Sequence, residues 1–98
     1  MSALWIAHVT VTDPERYGRY AALATQAIAA HGGVFLSRSG RHVQLEGQDR
    51  ARNVVARFPS LEAAEACYRS PEYQAALDHA RGAAERDLVI VEENGGGA

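Results

Sequence analysis

Ninety-eight residues, 47% hydrophobic and 22% charged, fit one small globular domain whose limited core makes help from a partner subunit expected. A formal charge of −2 and ten scattered arginines, with no lysine, exclude a phosphate-backbone footprint and hence nucleic acid as a partner. The single Cys67 excludes an internal disulfide or a paired-cysteine redox or zinc site. With no export signal and no apolar run of membrane length, the expectation is a soluble, cytoplasmic protein that does not engage a membrane.

In chain order, Ala3 to Thr12 is rich in β-branched and aromatic residues and predicts a strand. Asp13 as N-cap, Pro14 at the first helical position and Glu15 in the first turn then open a helix. Its apolar stripe is Tyr17, Tyr20, Ala21, Ala24, Ala27, Ile28 and His31, and Gly32 ends it as a left-handed cap. Val34 to Arg38 predicts a second strand, with a bend or bulge at Gly40. HVQLEG is a candidate extension before the polar turn Gly47 to Arg52. Asn53 to Phe58 predicts a third strand. Ser60 caps a second helix with Leu61, Ala64, Cys67 and Tyr68 on its apolar side. Ser70-Pro71-Glu72 repeats the start signal of Asp13-Pro14-Glu15, so that helix splits there, and Tyr73, Ala76, Leu77 and Ala80 form the next stripe. Asp87 to Glu92 predicts the fourth strand, and 94–98 a flexible Gly-rich tail.

The order β-α-β-β-α-β predicts an α+β, ferredoxin-like fold: one domain over 1–93, with a four-stranded antiparallel sheet and both helical segments on one face. Alternation assigns Ala7, Val9 and Val11, Val54, Ala56 and Phe58, and Val89 and Val91 toward the helices. The opposite phase carries Leu4, Ile6, Val34, Leu36, Val55, Leu88 and Ile90 among the polar residues His8, Thr10, Arg38, Asn53, Arg57 and Glu92. Leaving that apolar set wet forgoes on the order of 10 kcal/mol as an upper estimate. A homodimer packed sheet to sheet about a two-fold axis, a dimeric α/β barrel, is the economical answer.

Several stretches carry a resemblance: WIAHVTVTDPERYGRY, GGVFLSRSG, LEG at Leu45 to Gly47, RFPSLEAAEACYRSPEYQAAL, and Arg81. With them the chain resembles the DUF1330 family of small bacterial proteins, within the dimeric α/β-barrel superfamily. The resemblance implies a ferredoxin-like subunit and a sheet-to-sheet homodimer. It implies no particular reaction, since relatives in the superfamily include cofactor-free monooxygenases, lactone isomerases and proteins without known catalysis. Cys67 stands where the family usually has tryptophan, and Arg57 where an acidic residue often precedes FPS.

Arg38, Arg57 and His8 are expected on one sheet face, where two guanidinium groups beside an imidazole would bind a small carboxylate or enolate and His8 would move a proton. Asn53 shares that face, and Glu46, Tyr68 and Tyr73 are further candidates for a pocket between the sheet and its partner. The alternative assigns Arg38 and Arg57 to ion pairs with Glu46, Glu92 or the other subunit, and the tyrosines to helix packing. No cofactor is expected, because the chain has no phosphate loop or dinucleotide fingerprint, and its four histidines lack paired metal-ligand spacing. Two functions follow as expectations: a cofactor-independent enzyme acting on an anionic or enolisable substrate, or a non-catalytic binding or structural dimer.

Overall fold

The computed structural model describes residues 1–95; the end of the expected tail, 96–98, lies outside them. The chain runs β1 (Ala3–Val11), α1 (Pro14–Ala30), β2 (Val34–Arg38), β3 (Arg52–Phe58), α2 (Leu61–Arg69), α3 (Pro71–Ala80) and β4 (Ala84–Glu92). The four strands form one antiparallel sheet in the order β2-β3-β1-β4, and the helices cover one of its faces. This is the ferredoxin-like βαββαβ arrangement.

The helix boundaries follow from caps legible in the sequence. Asp13 Oδ1 accepts from the Arg16 amide at 3.2 Å, and Ser60 Oγ accepts from the Ala63 amide at 3.0 Å. Ser70 serves both helices it separates: its hydroxyl donates to the Cys67 carbonyl (2.7 Å) and accepts from the Tyr73 amide (3.2 Å). Gly32 takes φ +83°, the left-handed conformation that lets α1 stop.

Trp5 on β1 is the centre of the core. Its ring lies 5.6 Å from that of Phe58 on β3 and meets Tyr73 of α3 edge-on at 5.1 Å. Ala3, Ala7 and Val9 continue the buried face of β1, and Val54, Ala56 and Phe58 that of β3, as the alternation predicts.

Three expectations need correction. On β4, Leu88 and Ile90 pack against the core, while Val89 and Val91 lie on the open face, 55% and 47% exposed. The pairing fixes this phase, because Ala7 and Trp5, both buried, stand opposite Leu88 and Ile90. On β2 the register shifts between Phe35 and Ser37. Val34 and Ser37 therefore pair with the open-face residues Arg57 and Val55, whereas Phe35 and Arg38 pair with the core-facing Ala56 and Val54. This bulge turns Arg38 to the helix side, away from His8 and Arg57. HVQLEG adds no strand: it lies in an exposed loop between β2 and β3, where Val43 and Leu45 are 80% and 86% exposed.

Gly33 joins α1 to β2 where no side chain fits. A Cβ there would stand 2.5 Å from Ile28 Cγ2 and 2.8 Å from Phe58 Cζ, whereas one at Gly18, inside α1, would meet nothing within 4 Å. Gly33→Ala is expected to destabilise the fold by about 1–3 kcal/mol through overpacking. Gly18→Ala is expected to stabilise it by roughly 0.5–1 kcal/mol through helix propensity. Urea denaturation of the two variants checks both signs.

Candidate functional site

The expected site residues divide between the two faces of the sheet. On the open face, His8 Nδ1 donates to Asn53 Oδ1 at 2.6 Å, and Asn53 Nδ2 donates to the Arg50 carbonyl at 3.0 Å. Arg57 is engaged with Glu93, its Nε donating to Oε1 at 2.7 Å and its Nη2 to Oε2 at 3.3 Å. Glu46 is exposed in the β2–β3 loop, where its carbonyl accepts from Gln44. Tyr68 is half-buried on α2 beside Leu61, Leu88 and Ile90. Of the expected set the fold brings together His8 with Asn53, and Tyr68 with Tyr73, whose ring centroids are 5.3 Å apart.

The helix face holds a different constellation. Between α1 and the sheet lies a cavity of about 20 Å³, room for about one water. Its walls include Trp5, Tyr17, Tyr20 and Phe35, and three arginines border it, from β2, β3 and β4. Arg38 lies over the Phe35 ring, 4.4 Å from its centroid, and donates to Thr25 Oγ1 of α1. Arg52 stands 5.6 Å from the Tyr17 centroid and donates from Nη1 to Ser39 Oγ at 2.8 Å. Arg86 stands 4.6 Å from the Tyr20 centroid, and its Nη2 donates to the hydroxyls of Tyr20 (2.7 Å) and Tyr73 (3.2 Å).

Those two tyrosine hydroxyls are 2.6 Å apart. Burial pushes both above the ordinary phenol range; for Tyr20 the neighbouring Tyr73 adds to the rise, and in both cases Arg86 opposes it. Both are therefore neutral hydroxyls at physiological pH. Burial also pushes the Cys67 thiol up to about 11, with Glu72 adding to the effect, so it is no nucleophile near neutrality.

The arginines of the cleft differ from most others in the chain. Arg19, Arg50, Arg57, Arg69 and Arg81 each pair with a carboxylate. Among the described residues Arg38, Arg52 and Arg86 have no such partner, and no Asp or Glu lines the cleft. Arg52 Nε and Arg86 Nε are buried without an acceptor. The arrangement is a small, aromatic-walled, cationic cleft suited to an anion. No three His, Cys, Asp or Glu side chains among the described residues are grouped to hold a metal.

Arg52 and Arg86 are absent from the sequence-based candidates, although a signal for both exists. Arg52 continues Val54, Ala56 and Phe58 at period two, and Arg86 continues Leu88 and Ile90 once β4 is begun at Ala84.

Fold and cleft define a ferredoxin-like α+β protein with a cationic cavity under its first helix. The family model of the domain of unknown function DUF1330 matches residues 2–94, and the chain belongs to that family. No curated protein matches it. Among solved structures, the chain is similar to RPA0582, a protein of unknown function from Rhodopseudomonas palustris: 19% identity over 95% of this chain and 82% of that one, TM-score 0.77. A dimeric ferredoxin-like protein of unknown function from Thermobifida fusca gives 20% identity, 95% and 92% coverage, and a TM-score of 0.64. SnoaB, a cofactor-independent oxygenase from Streptomyces nogalater, gives 17%, 95% and 93%, and 0.63. These likenesses concern the fold. No described helix is long and apolar enough to cross a membrane.

The Arg57–Glu93 pair makes a testable contribution. Hydrogen bonds from Arg57, then from Ser2, hold the Glu93 carboxyl below its ordinary value of 4.5. A depressed folded pKa gives stability that is present above the unfolded value and lost as pH falls through the folded one. In an NMR titration the Glu93 carboxyl of Arg57→Ala is expected to move up toward 4.5. The acid-side loss of stability then weakens in that variant.

Proposed function

We propose that this protein is a homodimer that binds a small anionic or enolisable molecule at the cleft between α1 and the sheet of each subunit, the cavity of about 20 Å³ taking one oxygen of it. The observation that carries this reading is the convergence of Arg38, Arg52 and Arg86, without a carboxylate partner, on one aromatic-walled cavity. Arg52 and Arg86 are partly buried and Arg38 is exposed beside them; cations so gathered without a carboxylate repel one another, and an anionic ligand relieves that cost. This favours a ligand on the helix side of the sheet over one between the two sheets. Arg38 remains its ligand contact. His8, Asn53 and Arg57 belong instead to the subunit interface.

The open face supports the dimer. Leu4 stands opposite Val91 and Ile6 opposite Val89, with Val55 and Val34 alongside, so the apolar residues form one band. Polar groups flank it: Arg57 and Glu93 at one end, and at the other His8, Asn53 and Arg50 with Glu85 and Asp87. Burying the band is worth roughly 5–10 kcal/mol as an upper estimate. Solved neighbours from Thermobifida fusca and Bacteroides fragilis are described as dimeric.

As chemistry, the cleft supports stabilisation of an anion more than proton abstraction, since neither carboxylate nor imidazole lines it. A cofactor-independent oxygenation, the activity described for SnoaB, must draw its electrons from the substrate itself. The anionic form of such a substrate is the reactive one, and guanidinium groups favour that form. A non-catalytic ligand-binding dimer uses the same contacts.

Two experiments test these proposals. Val89→Glu is expected to yield a monomer in analytical ultracentrifugation with its far-UV circular dichroism retained; a monomeric wild type at micromolar concentration would refute the dimer. Small carboxylates are expected to raise the melting temperature of the wild type. Arg38→Ala or Arg52→Ala should weaken that binding by about tenfold or more, the worth of one charged hydrogen bond. Equal stabilisation of all three proteins would remove the cleft from consideration.

A further inference from the structure

Counting hydrogens in the cleft identifies the kind of atom it accepts, an argument that rests on the cleft being the binding site. Arg86 Nη2 carries two hydrogens and donates one to each of the Tyr20 and Tyr73 oxygens. The two hydroxyls are 2.6 Å apart, so one donates to the other. Exactly one hydroxyl hydrogen is then left without an acceptor in the trio. Tyr73 is fully buried and does not line the cleft, whereas Tyr20 does. The arrangement in which every hydrogen can find an acceptor has Tyr73 donating to Tyr20, and Tyr20 presenting its own hydrogen to the cavity.

Two more donors lack a partner, the buried Nε–H groups of Arg52 and Arg86, two of the residues that line the cavity. Acceptors are scarce there. Thr25 Oγ1 donates to the Ala21 carbonyl at 2.7 Å and already accepts from Arg38. The cavity is thus a surplus of donors between aromatic rings.

The geometry points to an oxyanion site in which Tyr20 Oη, Arg86 and Arg52 together donate to the acceptor-only oxygen of a planar carboxylate or enolate, with Tyr73 positioning the Tyr20 hydroxyl. A neutral amide of the same shape brings an NH₂ group, two hydrogens that meet donors instead of acceptors. The site should therefore reject it, as sites built around unpaired polar groups do.

Calorimetric titration with sodium benzoate and salicylate, against benzamide and against inorganic phosphate at matched ionic strength, tests this on the wild-type protein. Benzoate or salicylate is expected to bind at least about tenfold tighter than benzamide, and Tyr20→Phe to lose about tenfold in that affinity with its circular dichroism unchanged. Tyr73→Phe, which leaves the Tyr20 hydroxyl in place, is expected to lose less. Benzamide binding as tightly as benzoate overturns the oxyanion site, and this comparison requires no variant to fold. Benzoate binding that depends on Arg38 and Arg52 but is unaltered in Tyr20→Phe overturns the role of Tyr20 and leaves the anionic cleft standing. If none of the carboxylates binds, both readings fall; if phosphate binds equally well, the planar oxyanion site falls and the anionic cleft stands.

Discussion

The constraint on which the helix layer depends is a guanidinium carried inside it. Arg86 enters from the edge strand β4 and meets hydroxyls from α1 and α3, so one side chain ties together three elements distant in the chain. A buried cation with no counter-ion is expensive unless its hydrogens are satisfied. Two hydroxyls and the face of Tyr20 meet much of that demand, and the unpartnered Nε is the part left over. A wholly apolar contact at this point would pack as well and carry no remainder. The remainder is where a ligand would act.

How much of this can be read from the chain depends on whether the relevant signal is local. Helix ends are local: Asp13-Pro14-Glu15, Ser60 and Ser70-Pro71-Glu72 each carry their own cap, and each predicted cap is present. The phases of β1 and β3 are local too, because their buried faces alternate cleanly with residues such as His8 and Arg57. The phase of β4 is not. Leu88-Val89-Ile90-Val91 is apolar at every position, so period two is silent, and only the pairing with Ala7 and Trp5 decides which residues face inward. Fixing it brings Arg86 into the cleft.

Arg38 shows a second limit. Counting by twos from Val34 puts Leu36 and Arg38 on one face, and nothing in VFLSR announces that the count fails. The register shift between Phe35 and Ser37 is a property of the β2–β3 pair, not of either strand alone, and one extra residue reverses every side chain beyond it. Gly40, the residue that suggested a bulge, lies outside the strand. The arginine expected on the open face is thus found on the helix side.

That reversal separates two tasks which a single face would have had to share. A sheet-to-sheet interface is most stable when its apolar band is continuous and its ionic groups are paired at the rim, and the open face has this form, with Arg57 held by Glu93 and Arg50 by Glu85 and Asp87. A binding site needs the opposite, charges left without partners in a place where water is scarce. The bulge moves Arg38 from the open face to the border of the cleft, where it joins the two arginines that also lack carboxylates. A substitution that restored regular pairing in β2 would therefore remove a cation from the cleft and add an unpaired one to the open face, through one residue of register.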